Sequence, residues 1–350
     1  MQGLKSRVEL VVASGKGGVG KSTIAASLAI VLAEKSYNVV AADADAEAPN
    51  MHLVLGVGEP DEIIPYYEGR LAYILEDKCL GESCGLCVEA CSYEAIEPKD
   101  GKYQINPFIC EGCITCSAVC PVKAIRYRFR VRAGEIRVYR RTLYGFPLVS
   151  GEIRPGRPNS GKLVTEVKNK AHSILGSRNG VIVVDAAAGI GCQVISSLTG
   201  AQLALLVAEP TPASLSDLKR IHLLTKHFGI APMLVINKYD LNPSYVEEIK
   251  AYAERENIPI IGMVPYDESV PRSMAQLKPL IKAYPDSPAA KAVKAIAGFV
   301  AEKVLPDWRR WWVRYRPKKP VVYTPLLVKP EASSLKRPPS FKKPSMRSRA

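Results

Sequence analysis

Continuous apolar runs alternate with segments of helical periodicity over most of the chain. The apolar runs are short and rich in Val, Ile and Leu, which is typical of parallel strands that are buried on both faces. Six of these runs predict strands: Val8–Ala13, Asn38–Ala42, Val181–Asp185, Leu203–Ala208, Met233–Asn237 and Pro259–Val264. Helices are predicted between them, at Lys21–Lys35, Lys162–Leu175, Thr211–Phe228 and Pro243–Glu256. The alternation predicts an α/β fold with a doubly wound, mostly parallel sheet.

The alternation stops between Tyr66 and Phe146, where cysteines are dense and the periodicities are short. It resumes at Gly161, so one α/β domain is predicted to be interrupted by a small α+β insert. The predicted boundaries are 1–65 and 147–305 for the two parts of the α/β domain, 66–146 for the insert and 306–350 for a tail. From Pro306 onward the chain is rich in Pro, Lys and Arg, and we expect this tail to be largely extended or disordered.

The net charge of +14 is concentrated in the same tail. Residues 306–350 contain 13 Lys or Arg and 2 Asp or Glu, so the remainder of the chain carries only +3. The mixed aromatic and cationic segment Trp308–Arg316 suits a membrane interface or a nucleic acid, but packing of its tryptophans on the body is favoured. The sequence shows no signal-peptide pattern and no apolar run of ~20 residues, so we expect a cytoplasmic protein.

A glycine-rich loop follows the first predicted strand and precedes the first predicted helix. It matches the pattern G-x-x-x-x-G-K-[ST], in which glycines let backbone N–H groups converge on phosphate oxygens. The start of the helix directs its positive dipole end at the same anion. Lys21 can reach the β- and γ-phosphates, and Ser22 can ligate Mg²⁺. The predicted nucleotide-binding residues of this loop are Gly15, Lys16, Gly17, Gly18, Val19, Gly20, Lys21, Ser22 and Thr23.

Eight of the nine cysteines lie between Cys79 and Cys120, which indicates metal ligation rather than a disulfide framework. The run Cys110-x₂-Cys113-x₂-Cys116-x₃-Cys120-Pro121 has the spacing of bacterial ferredoxins. The run Cys79-x₄-Cys84-x₂-Cys87-x₃-Cys91 is its partner, with a longer first spacing and Ser92 in place of proline.

In this spacing the fourth cysteine of each run ligates the other cluster. Two [4Fe–4S] clusters are therefore predicted, one held by Cys79, Cys84, Cys87 and Cys120 and the other by Cys91, Cys110, Cys113 and Cys116. Zinc is the competing interpretation because four thiolates also suit Zn²⁺. Zinc sites usually pair two C-x₂₋₄-C units across a longer loop, so the spacing favours iron–sulfur clusters.

Three segments resemble the MinD/ParA superfamily of P-loop ATPases. Lys16–Thr23 resembles the deviant Walker A loop of that family. Asp43-Ala44-Asp45 followed by Ala48-Pro49-Asn50 resembles its switch I. Val181–Asp185 followed by Ala186–Gly189 resembles its switch II, although Ala187 stands where proline is common. The order of these segments around the cysteines resembles MinD-like ATPases that contain an inserted two-cluster ferredoxin domain, over roughly residues 1–305.

The resemblance implies a role for each matched residue. Lys16, Lys21 and Asp45 would be catalytic: Lys16 would reach the nucleotide of the partner subunit in a homodimer, and Asp45 would orient the attacking water. Mg²⁺ would be held by Ser22, Asp43 and Asp185. Nucleotide would also be bound by Gly189, Asn237, Pro265 and Asp267. Because Asn237–Asp240 also reads as N-K-x-D, a guanine-selecting pattern, GTP stays open, although the loop and switches favour ATP.

The leading hypothesis is an ATPase that gates electron transfer through two clusters to an unknown redox partner. The first alternative is an ATPase for iron–sulfur cluster assembly or delivery. The second is a positioning ATPase whose tail binds membrane or nucleic acid. Cys192 lies outside the ferredoxin runs, and we expect a small buried thiol at a helix start. The sharper hypothesis places it near the dimer axis.

Overall fold

The computed structural model of the protein describes residues 4, 6–157 and 161–318. Its strands are β1 (Val8–Ser14), β2 (Val39–Ala44), β3 (Glu62–Tyr67), β4 (Arg70–Ile74), β5 (Ile96–Lys99), β6 (Lys102–Ile105), β7 (Ile125–Phe129), β8 (Arg132–Tyr139), β9 (Leu148–Ile153), β10 (Val181–Ala188), β11 (Leu203–Ala208), β12 (Ala231–Asn237) and β13 (Ile260–Val264). Its helices are α1 (Lys21–Glu34), α2 (Met51–Val54), α3 (Leu86–Glu89), α4 (Thr115–Val119), α5 (Lys162–Leu175), α6 (Cys192–Leu198), α7 (Pro212–Phe228), α8 (Pro243–Arg255), α9 (Ser269–Ala275), α10 (Leu280–Ala283), α11 (Pro288–Phe299) and α12 (Trp308–Tyr315).

The main sheet has nine strands in the order β13-β12-β11-β1-β10-β2-β9-β8-β3. From β13 to β9 every neighbouring pair is parallel, whereas β8 and β3 are antiparallel additions at one edge. The six predicted strands and four predicted helices are all present. The predicted α/β fold with a mostly parallel sheet is therefore confirmed.

Two hydrophobic clusters cover the two faces of this sheet. Side chains alternate along a strand, so Leu10 and Val12 of β1 enter one cluster while Val11 and Ala13 enter the other. Helices α1 and α11 pack on the first face, and α5–α8 pack on the second. Burial on both faces explains why the central strands are continuous apolar runs.

Helix starts follow the local sequence. Asn242 precedes Pro243 and its side chain accepts a hydrogen bond from the N–H of Tyr245 at 3.4 Å, so α8 begins as its predicted N-cap and proline indicate. Thr211 caps α7 in the same way, through the N–H of Ser214 at 3.2 Å.

A small unit stands apart from the main sheet. It contains the two-stranded sheets β4–β7 and β5–β6 with the short helices α3 and α4. It has its own cluster, centred on Ala72, Ile96, Cys116 and Ile125. The segment predicted as the insert was 66–146, but β8 within it pairs with β9 in the main sheet. The sequence of β8, RAGEIRVY, did not indicate which sheet the strand would join.

The C-terminal part of the described chain differs from the extended tail that was expected from Pro306. Residues Trp308–Tyr315 form α12, and Asp307 caps it by accepting from the N–H of Arg310. The indole N–H of Trp308 donates to Ser6 Oγ at 3.0 Å, and that of Trp312 donates to the Gly229 carbonyl at 2.9 Å. The tryptophans therefore pack on the body, as favoured from sequence. Residues 319–350 of the predicted tail lie outside the described residues.

None of the described helices combines the length and the apolar character needed to cross a lipid bilayer.

Candidate functional site

The glycine-rich loop opens into a large cavity at the carboxyl ends of the parallel strands. Its volume, counted out to its open mouth, is ≈ 1110 Å³. Most of the predicted nucleotide-binding residues line it, together with Asp45: Lys16, Gly17, Gly18, Gly20, Lys21, Ser22, Thr23, Asn237, Pro265 and Asp267. Four further residues line the side near Pro265 and were not predicted: Tyr266, Val270, Pro271 and Met274. The carboxyl edge of an open parallel sheet is where such folds bind ligands.

Close packing requires glycine at two positions of the loop. A Cβ on Gly15 would lie 2.4 Å from the Asp217 Cβ, so Gly15 serves the packing of the loop and does not line the cavity. Gly20 has φ of +90°, and a Cβ there would lie 2.4 Å from the Asn237 Nδ2 atom. Asn237 donates to the carbonyl of Val19 at 2.7 Å, which ties the loop to the end of β12.

Lys21 forms a buried ion pair at the base of the cavity. Its Nζ lies 2.7 Å from the Asp185 Oδ1, and the two side chains are 7% and 1% exposed. Charge-assisted pairs of this length are strong only where both partners are held in place. Here the first turn of α1 and the end of β10 hold them. Asp185 was predicted to act on Mg²⁺, and in this structure its partner is Lys21.

Asp43 lies beside Asp185 in the sheet register, and neither residue is among those that line the cavity. Its Oδ2 accepts from the N–H groups of Asn50 at 3.0 Å and Met51 at 2.9 Å. Burial, and then the charge of Asp185, raises the pKa of Asp43. Asp43 thus anchors the start of α2, a contact that its predicted magnesium role did not include.

Lys16 is paired within its own chain through a residue that the sequence analysis missed. Its Nζ lies 3.0 Å from the Glu209 Oε1, while the Nζ of Lys238 lies 3.1 Å from the Glu209 Oε2. Burial opposes ionisation of Glu209, but the two lysines hold its pKa below the usual value. Lys238 also donates to the carbonyl of Gly18 at 3.2 Å. Glu209 directly follows β11. An acidic residue at the end of a strand near the loop is the sequence feature that could have identified it.

The side of the cavity expected to hold the base contains Asn237, Pro265 and Asp267. Asp240 of the N-K-x-D pattern does not line it, because its Oδ1 accepts from the N–H of Tyr266 at 2.7 Å. Gly189, predicted to sense the γ-phosphate, has φ of +100° and donates its N–H to the Ser14 carbonyl at 3.0 Å, outside the cavity lining.

The eight clustered cysteines surround two cavities in the small unit, each of ≈ 350 Å³ counted out to its mouth. One is lined by Cys91, Cys110, Cys113 and Cys116. The other is lined by Cys79, Cys84, Cys87 and Cys120. The structure therefore brings the thiols together in the two sets of four that the spacing predicted, including the exchange of the fourth cysteine between the runs.

The two halves of the small unit repeat a local structure. Cys91 and Cys120 each accept a hydrogen bond at sulfur from the N–H four residues on, Ala95 at 3.4 Å and Ala124 at 3.2 Å. Cys79 accepts at sulfur from the N–H of Gly81 at 3.4 Å. The matching sequences Cys91–Glu97 and Cys120–Arg126 both place Ala-Ile at the same offset, a repeat that the sequence analysis did not use.

Among the described residues no three His, Cys, Asp or Glu side chains stand close enough together to hold a single metal ion.

Comparison with known proteins decides the family. A model of the CobQ/CobB/MinD/ParA nucleotide binding domain matches residues 10–280. The chain belongs to this family. An uncharacterized protein of Methanocaldococcus jannaschii is 33% identical over 276 residues, covering 77% of this chain and 88% of the relative. An iron-sulfur cluster carrier protein of Pyrococcus furiosus is 24% identical over 313 residues, covering 86% of this chain and 88% of the relative.

A solved structure shows the same fold. The septum site-determining protein MinD of Pyrococcus horikoshii, complexed with Mg-ADP, is similar with a TM-score of 0.51 and 20% identity. The match covers 85% of this chain and 96% of that protein. By the family match, the protein is a P-loop ATPase of the MinD/ParA family, as the resemblance predicted.

Cys192 of this MinD/ParA-family ATPase differs from the expectation. It begins α6, as predicted, but its side chain is exposed rather than buried. A Cβ on Gly161 would lie 2.6 Å from the carbonyl oxygen of Cys192. The backbone of α6 is therefore packed while the thiol points outward.

Proposed function

We propose that this ATPase binds and hydrolyses ATP with Mg²⁺ and uses that cycle to gate electron transfer through two [4Fe–4S] clusters. The observation that carries the proposal is the pair of cavities in the small unit, each lined by four cysteines. The sets are drawn from both cysteine runs, as in two-cluster ferredoxins.

The chemistry of the donor set fits a cluster better than zinc. Each thiolate of a cubane binds a different iron, so the four sulfurs stand further apart than around one ion. The N–H groups of Gly81, Ala95 and Ala124 that reach cysteine sulfurs are of the kind that tunes a cluster's potential. When bound, the clusters supply one-electron redox chemistry.

The nucleotide site supplies groups for each part of a triphosphate. Lys21 and the loop amides would hold the phosphates, Ser22 would hold Mg²⁺, and Asp45 on the cavity wall would orient water. Asp185, which is paired with Lys21 in this structure, would turn to Mg²⁺ only once Lys21 binds phosphate. Asp240 is engaged by the backbone of Tyr266, so guanine readout by the N-K-x-D pattern lacks its carboxylate. This supports ATP as the nucleotide.

Helix α5 supports a route between the two sites. At its start, the Lys162 Nζ lies 3.2 Å from the Oε1 of Glu68, which directly precedes the small unit. Further along, the Lys168 Nζ donates to the carbonyls of Ser197 at 2.7 Å and Thr199 at 2.6 Å, at the end of α6. Because α6 follows the switch II segment, a shift of that segment on triphosphate binding would move α5. Helix α5 would in turn move the segment around Glu68 that leads into the small unit. Closure of a homodimer, with Lys16 acting on the partner's nucleotide, would complete the cycle.

Cluster delivery is the second candidate, favoured by the similarity to the iron-sulfur cluster carrier protein of Pyrococcus furiosus. A cargo cluster must leave, yet here each cavity supplies four thiols and leaves no ligand position open. A positioning role through the C-terminal segment is less favoured because Trp308 and Trp312 are packed on the body.

Anaerobic purification tests the proposal. We expect about eight iron atoms and eight sulfides per chain, and an EPR signal of reduced [4Fe–4S] clusters. Cys113→Ser should lose or alter one cluster, whereas the control Cys192→Ser should retain both. One or two zinc ions with no iron would contradict the proposal. Transfer of iron from the purified protein to an apo-ferredoxin, accelerated by ATP, would favour delivery instead.

A further inference from the structure

One face of the two-stranded sheet β4–β7 lines both cysteine cavities. In its register Ala72 pairs with Tyr127 and Ile74 pairs with Ile125. Ala72 and Tyr127 line the first cavity, and Ile74 and Ile125 line the second. Because side chains alternate across a strand, the remaining residues of the pair lie on the opposite face. A single layer of backbone therefore separates that outer face from both sets of thiols.

The outer face carries two exposed arginines. Arg126 and Arg128 are two residues apart on β7, which places them on one face about 7 Å apart. Tyr73 of β4 pairs with Arg126 in the register, and the guanidinium carbon of Arg128 lies 5.4 Å from the centroid of the Tyr73 ring. Arg130, just beyond the strand, lies 5.8 Å from the centroid of the Tyr67 ring.

The two ring contacts orient the guanidinium groups of Arg128 and Arg130 without using their hydrogen-bond donors. Stacking on an aromatic ring occupies the flat face of an arginine and leaves its planar fork of N–H groups free. Within the described residues no ion pair engages Arg126, Arg128 or Arg130. Residues 70–130 contain eight acidic and eight basic side chains, so the unit is neutral and the arginine face is a local positive patch.

We propose that this arginine face, formed by Arg126 and Arg128 on β7 with Arg130 just beyond the end of the strand, docks an acidic one-electron carrier protein. The inference rests on the proposed function and names the partner of the same clusters. Arginine forks match carboxylates in two-point contacts, and complementary charge speeds and orients encounter. The transfer moves one electron from the reduced carrier to a cluster held in one of the cavities. No bond forms or breaks and no proton moves.

The size of the patch favours a protein over a nucleic acid. Nucleic-acid sites commonly neutralise some 6–10 phosphates along a strand, whereas this face offers three cations beside a neutral unit. Its position against both cavities is what a redox partner needs.

Binding measurements on the iron-loaded protein test this inference, with an acidic plant-type [2Fe–2S] ferredoxin as the probe. By titration calorimetry we expect wild-type protein to bind it with an affinity that falls as salt rises. The double variant Arg126→Glu/Arg128→Glu should lose about tenfold or more in affinity at low salt, because it reverses the patch. The control Lys99→Glu/Lys291→Glu makes the same charge change at exposed sites away from the face and should bind like wild type.

Two results would overturn the inference: no salt-dependent binding of the ferredoxin to wild type, or equal binding by the double variant and its control. Tighter binding of a short DNA duplex than of ferredoxin, lost in the same double variant, would assign the face to nucleic acid instead. Iron content and the EPR signal of each protein are measured alongside. Protein without iron contradicts the proposed function, whereas iron-loaded protein with unaffected ferredoxin binding contradicts only the docking surface.

Discussion

Asp43 and Asp185 are register partners on the adjacent parallel strands β2 and β10, and both carboxylates are buried. Lys21 lies against Asp185, while Asp43 is held by backbone N–H groups at the start of α2. Two neighbouring buried carboxylates repel each other, so positive charge at this edge of the sheet is stabilising. Lys21 supplies that charge, and the phosphate loop brings it to the floor of the nucleotide cavity.

Lys21→Ala should weaken nucleotide binding and Asp45→Ala should not. Removal of the ammonium deletes a charged hydrogen bond to phosphate, which corresponds to roughly 10–100-fold in affinity. Asp45 lines the cavity without an ion-pair partner among the described residues, and its loss should slow turnover by roughly 10²–10⁴-fold if it positions water. Binding of a fluorescent ATP analogue and steady-state hydrolysis measure the two effects. Equal affinities of Lys21→Ala and wild type would show that the assignment of the cavity is wrong.

Glu209→Gln should promote triphosphate-dependent dimerisation. Glu209 holds Lys16 and Lys238 within the chain at 3.0 and 3.1 Å, and the neutral amide would hold them less strongly. If Lys16 acts on the partner's nucleotide, its release from Glu209 should lower the dissociation constant of the dimer several-fold. That change corresponds to a free energy of up to about 1 kcal/mol. Light scattering with a non-hydrolysable ATP analogue measures this. The variant Lys16→Ala should stay monomeric, and a dimer of Lys16→Ala as stable as that of wild type would refute the role of Lys16 across the interface.

Lys168→Met should destabilise the fold strongly. The Lys168 Nζ lies 2.7 Å from the Glu9 Oε1, and both side chains are almost fully buried. Removing one partner leaves a buried carboxylate beside His172, which costs about 3–5 kcal/mol. Lys170→Ala is the control, because its pair with Glu62 is partly exposed and contributes about 1 kcal/mol or less. Urea denaturation measures both, and equal losses would contradict the account of the buried network.

His222 predicts an acid-sensitive fold. Its ring is buried against the Tyr252 hydroxyl at 2.8 Å, and burial lowers its pKa to about 4. Between about pH 6.5 and 4 the unfolded chain binds a proton that the folded chain does not, so stability falls as pH falls through this window. The full effect is about 3 kcal/mol. In His222→Phe the free energy of unfolding should change less with pH over the same window, and an unchanged slope would remove His222 as the cause.

The sequence predicted the parts of the fold that local pattern determines. Buried parallel strands such as β1 and β11 read as continuous apolar runs, and the cap at Asn242 was visible as a dipeptide. The strand β8 was not assigned to the main sheet, because its pairing with β9 and β3 is set by tertiary contact.

In the candidate sites, too, local features could be predicted from the sequence and long-range contacts could not. Each predicted set of four cysteines lines one cavity, and the short spacing of the cysteines made that grouping visible in the sequence. The contact of Lys16 with Glu209 joins residues 193 positions apart, and no sequence motif predicted it. The exposure of the Cys192 thiol was likewise not predicted, since the burial of a single side chain depends on tertiary packing.

The most direct test of nucleotide-gated electron transfer is a redox titration of the clusters followed by EPR. It compares anaerobic protein with Mg-ADP and with Mg²⁺ and a non-hydrolysable ATP analogue, in wild type and in Lys21→Ala. We predict that the midpoint potential of at least one cluster differs between the nucleotides by about 60 mV or more in wild type, a tenfold change in its equilibrium. In Lys21→Ala each cluster should have the same midpoint potential with either nucleotide. Clusters of identical potential with either nucleotide in wild type, or protein without iron, would contradict the account.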